Sequence, residues 1–186
     1  MEANYLESAK KQFEYYKMLG EKTFSQLDEM ELFWQYNLDS NSIDIIVNHL
    51  WGNMKSRWTD FLTTDGEKNW RKRDQEFEYV IKSKSEFIKK WNDGWECLFT
   101  ALDSINKDNF NTKVYIRNER HTVVEAINRQ LAHYAFHIGQ IVYIGRIIKA
   151  DKWKNLSIPK GKSLEFNEEK FAAQKTIKVS SNALRA

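Results

Sequence analysis

Apolar positions recur at helical spacing through four long segments of the chain, with charged residues between them. From Met1 to about Glu31, the side chains of Tyr5, Phe13, Tyr16, Leu19, Phe24 and Leu27 fall on one helical face. Gly20 weakens that segment near its middle, by about 1 kcal/mol relative to Ala. A second helix starts at Ser40 or Ser42, either able to cap it, with Asp44 in the first turn where the helix dipole favours an anion. Ile45, Ile46, Leu50, Met54, Trp58, Phe61 and Leu62 carry it to about Leu62. A third runs from Ser83 or Ser85 to about Ile105 on Phe87, Ile88, Trp91, Trp95, Leu98, Phe99 and Leu102, with Gly94 a weak point. The fourth opens with the capping-box pair Thr122 and Glu125 and extends to about Lys149. Gly139 and Gly145 on it would let a neighbouring helix come close.

The connections are more varied. Phe33-Trp34-Gln35-Tyr36 reads as an extended aromatic stretch, and Thr63-Thr64-Asp65-Gly66 as a turn. Thr112 to Arg117 alternates polar and apolar residues, which predicts a short strand, paired with the Phe33–Tyr36 stretch or in a hairpin of its own. The connection from Glu67 to Glu76 is unusually charged. One reading is a solvated loop. The other folds Trp70, Arg71 and Arg73 over the mouth of a pocket to meet an anionic group, since Arg suits bidentate carboxylate or phosphate recognition. Beyond Lys149 the chain turns polar, so we expect a domain over 1–166 and a C-terminal tail over 167–186.

Composition narrows the class. The 186 residues are 41% hydrophobic and 30% charged, which predicts a globular chain of one main domain. A single Pro and seven Gly leave few of the turns an all-β fold needs, so the expectation is all-α. The net charge of +3 is spread among acidic residues without a basic stripe, which argues against a nucleic-acid partner. Cys97 is the one cysteine; it cannot form an internal disulfide, suits a reducing cytoplasm, and reads as a buried inert thiol. The first eleven residues hold no apolar run of the kind a signal peptide has, and no segment approaches the roughly 18 apolar residues of a membrane span. A cytoplasmic protein without a membrane partner is expected.

The candidate chemistry lies in His133 and His137. Four residues apart on a helix, the two rings point the same way, a spacing that suits two ligands of one metal ion. The competing reading is two partly buried histidines satisfied by ordinary neighbours. Flanking Leu131, Ile138 and Ile141 indicate burial, and buried imidazoles need a partner, because unpaired polar groups cost a few kcal/mol each. A third ligand is available in His49 on the second helix, in line with Asn53 and Arg57 at steps of four. No Glu sits between the paired histidines as in the His-Glu-x-x-His proteases. Three histidines with an open position would give a Lewis acid, with Zn the default metal and Ni or Fe alternatives.

One His in the second helix and His-x-x-x-His in the last resemble the DinB-like, YfiT-like superfamily of bacterial metalloproteins. The stretch Asn48-His49-Leu50-Trp51-Gly52-Asn53-Met54-Lys55-Ser56-Arg57-Trp58 is similar to a branch of that superfamily with no assigned function. So are Thr64 to Lys68, Arg71 to Phe77, and Ser157 to Gly161, and the likeness covers about Leu6 to Phe166. The resemblance implies a four-helix bundle with an up-down-down-up course, a metal triad of His49, His133 and His137, and a homodimer. It also implies a metal-dependent enzyme using a low-molecular-weight thiol, a thiol S-transferase or a thiol-dependent isomerase acting on a small-molecule substrate. In that role Asn53 and Arg57 would orient the substrate, and Arg71 and Arg73 would meet an anionic cofactor carboxylate. The alternative is a non-catalytic, metal-stabilised helical bundle, acting as a binding or stress-related interaction protein.

Overall fold

The computed structural model describes residues 2–172. Most of the chain is helical: α1 (Glu2–Phe24), the single turn α2 (Glu29–Leu32), α3 (Ile43–Trp58), α4 (Lys84–Asp103) and α5 (Val123–Lys149). Two short strands, β1 (Lys113–Ile116) and β2 (Glu119–Thr122), precede α5, and 3-10 turns form at Arg73–Phe77 and Ala150–Lys152. The chain divides into two compact units, Met1–Trp153 and Lys154–Ala186. In the second, residues 163–172 are helical, with Lys162 Nζ donating to Glu165 at 2.6 Å. Of the expected tail over 167–186, residues 173–186 lie outside the described residues. No helix among the described residues is long and apolar enough to cross a membrane.

In the first unit α3 packs mainly on α4 and α1 on α5, while α3 also meets α5 and the Arg73–Phe77 turn. The expected apolar stripes meet inside: Phe13, Phe87, Trp95, Leu98 and Tyr134 are fully buried. Burial of each such ring is worth roughly 1.5–3 kcal/mol. Phe13 sits at their centre, with ring centroids 5.8 Å from Tyr134 and 6.5 Å from both Trp58 and Trp95. The Tyr134 hydroxyl accepts from Trp58 Nε1 and donates to Asn53 Oδ1, each at 3.0 Å. That chain carries the order of the core to the residue beside His133.

Helix ends depart from the sequence pattern where local polar chemistry intervenes. The expected helix from Met1 to Glu31 breaks after Phe24, because Asp28 starts a new turn with a capping box of its own. Its carboxylate accepts from Glu31 N at 2.9 Å, and Glu31 Oε2 accepts from Asp28 N at 2.8 Å. Helix α3 ends at Trp58, short of Leu62: Asp60 takes a left-handed φ of 49°, and its carbonyl accepts from Thr63 N and Thr64 N. Ser83 caps α4 and Thr122 with Glu125 forms the predicted box on α5. The Phe33–Tyr36 stretch is not a strand. β1 pairs with β2 in a hairpin, in register Val114 to His121, and the two-residue turn Arg117-Asn118 has φ of 55° and 62°.

Candidate metal centre and its cationic cleft

His49 comes from the middle of α3 and His133 and His137 from α5, so the contact of the two helices brings the three rings together. His133 Nε2 lies 3.3 Å from His49 Nε2 and 3.1 Å from His137 Nε2. One ring nitrogen from each falls within 4.8 Å of the others. A tetrahedral ion with Zn–N bonds of about 2.0–2.1 Å separates its nitrogens by roughly 3.3 Å, so these separations fit a shared ion.

The opposite ring edges decide what those nitrogens present. His49 Nδ1 is 2.9 Å from Glu76 Oε2, and His137 Nδ1 is 2.9 Å from Gln140 Oε1. Both oxygens are acceptors, so in the neutral rings each Nδ1 carries the proton and each Nε2 offers a lone pair. His133 Nε2, with one proton at most, can satisfy only one of the two. Without an electrophile among them, at least one pair of lone pairs faces each other at hydrogen-bond distance. A divalent cation removes the conflict, and a second ring nitrogen held by a carboxylate or amide oxygen is the usual support of a metal-ligating histidine.

Electrostatics favour the neutral form of the two α5 histidines. Burial, reinforced by His137, His49, Arg57 and Arg71, pushes His133 down to about 3. Burial and the neighbouring His49 outweigh the Gln140 hydrogen bond and bring His137 down to about 4. For Glu76, burial alone would raise the carboxyl, but hydrogen bonds from His49 and Arg71 hold it below the usual carboxylate range. Arg71 Nε donates to Glu76 Oε1 at 2.7 Å and Arg71 Nη2 to Oε2 at 2.9 Å, while Asn48 Nδ2 donates to the Glu76 carbonyl at 2.9 Å.

The triad lies at a cleft of about 480 Å³ lined also by Asn53, Phe77, Gln130, Phe136 and five arginines, 57, 71, 73, 117 and 129. Asn53, Arg57, Arg71 and Arg73 all line it with the histidines, in differing states of engagement. Asn53 gives its Oδ1 to Tyr134. Arg57 is buried, and its Nη1 donates to the Gly66 carbonyl and, at 3.1 Å, to Glu67. Burial and the charge of Arg71 hold the Arg57 guanidinium below its ordinary value. Arg71 is tied to Glu76 and stands 3.5 Å from Glu67. Arg73 remains half exposed, over the Phe77 ring at 5.3 Å. Trp70 is separate: it is exposed and lines a different hollow with Trp51 and Lys90. The charged connection is thus neither a wholly solvated loop nor a mouth covered by Trp70.

Sequence reasoning missed Glu76, Arg117 and Arg129, and it gave Gln130 and Gln140, which flank the histidine pair, no role of their own. Gln140 carried a signal, since it lies three residues after His137 on the same helix. Glu76 and Arg117 reach the site through irregular chain, which no periodicity foretells. Asp65 holds Arg117 in place: its carboxylate accepts from Arg117 N at 2.8 Å and Asn118 N at 2.7 Å. A second hollow, about 580 Å³, lies beside Cys97. The thiol there is half-buried, 3.6 Å from Thr59 Oγ1, without any second metal-ligating group of the kind the histidines form among the described residues.

Fold and site together define a mostly helical protein with three histidines able to hold a metal ion. Residues 1–162 match the family described as "Protein of unknown function (DUF1572)", and the chain belongs to that family. No curated protein and no solved structure matches it.

Proposed function

We propose that this protein is a divalent-metal-dependent enzyme of thiol transferase type, with His49, His133 and His137 as the metal ligands. The observation that carries the reading is the convergence of three Nε2 atoms at an open cleft, with no fourth His, Cys, Asp or Glu joining the cluster among the described residues. A closed set of four protein ligands would serve a structural ion, whereas three with an open position leave room for a reactant. Bound there, the ion, zinc by default and nickel or iron as alternatives, supplies Lewis acidity and stabilises a thiolate. The overall reaction joins a low-molecular-weight thiol to a small electrophile, forming a C–S bond as the bond to the leaving group breaks and the thiol proton passes to solvent.

The chain's own residues orient the reactants. With Oδ1 occupied by Tyr134, Asn53 has its NH2 donors left for a substrate carbonyl or oxyanion. Arg57 spends Nη1 on protein acceptors, and its remaining guanidinium donors have no partner among the described residues. Arg71 and Arg73 are the candidates for a cofactor carboxylate, with Arg73 the freer. The cleft's volume suits a small molecule and not a nucleic acid.

The arrangement is consistent with a DinB-like bundle, in which α1, α3, α4 and α5 are the four helices in an up-down-down-up course. We also propose a cytoplasmic homodimer. Phe136, Tyr143 and Ile147, exposed along one face of α5, support a helix-to-helix interface beside the cleft. Light scattering tests the dimer.

The experiment on the reaction is metal analysis of freshly purified protein, followed by thiol-transfer assays with a chromogenic electrophile. Stoichiometric metal, with both metal and transfer lost in His133→Ala, is the expected result. Turnover retained in metal-free His133→Ala would overturn the reading. Stoichiometric metal with no transfer from any thiol would leave the structural alternative, an ion tying α3 to α5.

A further inference from the structure

We infer that the cleft holds a dedicated subsite for an anionic group, a carboxylate pair or a phosphate, formed by Arg73, Arg129 and the carboxamide of Gln130. The inference deepens the proposed enzyme reading by naming the charge class of its ligand, and it rests on that reading only for what the ligand does next.

Charge balance is the first argument. Five guanidinium groups line the cleft and no carboxylate does. Two acids stand behind them and both are fully engaged. Glu76 serves Arg71 and His49. Glu67 lies within 3.1 Å of Arg57 and of Arg117 and 3.5 Å of Arg71. Even with the exposed Asp74 beside Arg73, the guanidinium groups lining the cleft outnumber the carboxylates paired with them, which leaves the cleft positive. The excess sits in particular side chains. Arg129, on α5 one turn before His133, has no hydrogen bond or ion pair among the described residues. Arg73 has only the exposed Asp74, loosely, at 3.9 Å.

The second argument is independent of charge. Gln130 is buried, 3% exposed, on the wall of the same cleft. Its Oε1 is shut off from solvent with no hydrogen-bond partner. Its NH2, also without a protein partner, is the end left to the cleft. That NH2 can donate to an acceptor oxygen of a ligand, whereas the buried Oε1 is itself an acceptor and gains no partner from an anion. Guanidinium forks and an amide NH2 are all donors, and donors without acceptors select an anionic oxygen cluster. Metal ligands on one side and anion donors on the other would hold such a ligand at two points, fixing its direction in the cleft.

Calorimetric titration of the metal-loaded protein with succinate and with inorganic phosphate tests this, with neutral succinamide as the control. Saturable binding of succinate, of phosphate or of both is expected, weakened about tenfold or more in the Arg73→Gln/Arg129→Gln double variant. Lys107→Gln, on the distant turn before β1, should bind as wild type. Raising salt from about 50 mM to about 500 mM should weaken binding in wild type. Preference for succinate or for phosphate identifies the source of the anionic group. Gln130→Met should weaken the preferred anion while raising the melting temperature of the ligand-free protein, which a merely structural role would not do. Absence of saturable binding by both anions, equal binding of succinamide, or unchanged binding in the double variant would overturn the subsite. The last result is what an anion held by the metal alone would give. These probes carry no thiol, so anion binding without thiol transfer defeats only the proposed reaction, and transfer from a neutral thiol without anion binding defeats only the subsite.

Discussion

The Glu76 carboxylate reaches His49 Nδ1, 2.9 Å away, through space that exists because residue 52 is glycine. A Cβ on Gly52 would overlap the carboxylate, which cannot swing aside because Arg71 grips both of its oxygens. Gly52, Glu76 and Arg71 together thus set the tautomer of His49.

That relationship makes a specific prediction about metal affinity. Glu76→Gln keeps the shape but loses the charge that fixes the His49 proton on Nδ1, and Gly52→Ala displaces the carboxylate. Both should lower zinc affinity by about 10- to 100-fold while leaving the helical fold in place. Competition with a chromophoric chelator measures it, alongside circular dichroism. Wild-type affinity in both variants would remove Glu76 from the metal's support.

The histidines also predict an acid sensitivity of the metal-free protein. Folding lowers His133 to about 3 and His137 to about 4, below the ordinary value of 6.5. The unfolded chain therefore takes up protons before the folded one does. Stability from these groups is complete above about pH 6.5 and is lost as pH falls toward 4 and then 3. The melting temperature of chelator-treated wild type should fall more steeply between pH 7 and pH 4 than that of His133→Gln. Parallel slopes would show that these rings do not carry the acid response.

Much of the three-histidine cluster was legible because its residues lie on regular helices. His133 and His137 share a face by spacing alone, and Asn53 and Arg57 follow His49 at steps of four, so periodicity sufficed to gather them. The same logic delivered the capping box at Thr122 and the core stripe through Trp91, Trp95 and Leu98. It failed where the chain is irregular. Asp28 could be read as one more charge on a long helix, but its carboxylate competes for backbone donors and restarts the helix. Glu76, behind the cleft, and Arg117, on its wall, come from a 3-10 turn and a hairpin tip, whose positions depend on tertiary contacts. Trp70 belonged by composition with Arg71 and Arg73, yet adjacent residues in irregular chain need not point together.

The hairpin tip yields a third prediction. Asp65 accepts backbone donors from Glu67 at 2.6 Å, Arg117 at 2.8 Å and Asn118 at 2.7 Å, and these bonds hold its carboxyl low against the effect of burial. Asp65→Ala frees three N–H groups, and because the tip is exposed, water replaces part of the loss. Destabilisation of about 1–2 kcal/mol is expected by urea titration. Asn at the same position keeps one acceptor oxygen and should recover part of that. A stability within error of wild type would show that the strands alone hold the tip.

The last prediction concerns the α1–α5 contact that keeps the helix of His133 and His137 in place. A Cβ at Gly145 would lie 2.6 Å from Thr23 Cγ2 and 3.3 Å from Trp153 Cζ3. Thr23 has no room to retreat: it is fully buried, and its hydroxyl donates to the Leu19 carbonyl at 2.9 Å. Gly145→Ala should therefore destabilise by about 1–3 kcal/mol despite the better helix propensity of Ala. Gly139, six residues earlier, has nothing within 4 Å of its added methyl group, and Gly139→Ala should stabilise by roughly 0.5–1 kcal/mol. Thr23→Ser removes the clashing methyl and keeps the hydroxyl, so in the Gly145→Ala background it should restore part of the loss. A double-mutant cycle measures that coupling by denaturation. Additive effects of the two substitutions would locate the cost of Gly145→Ala elsewhere, against Trp153.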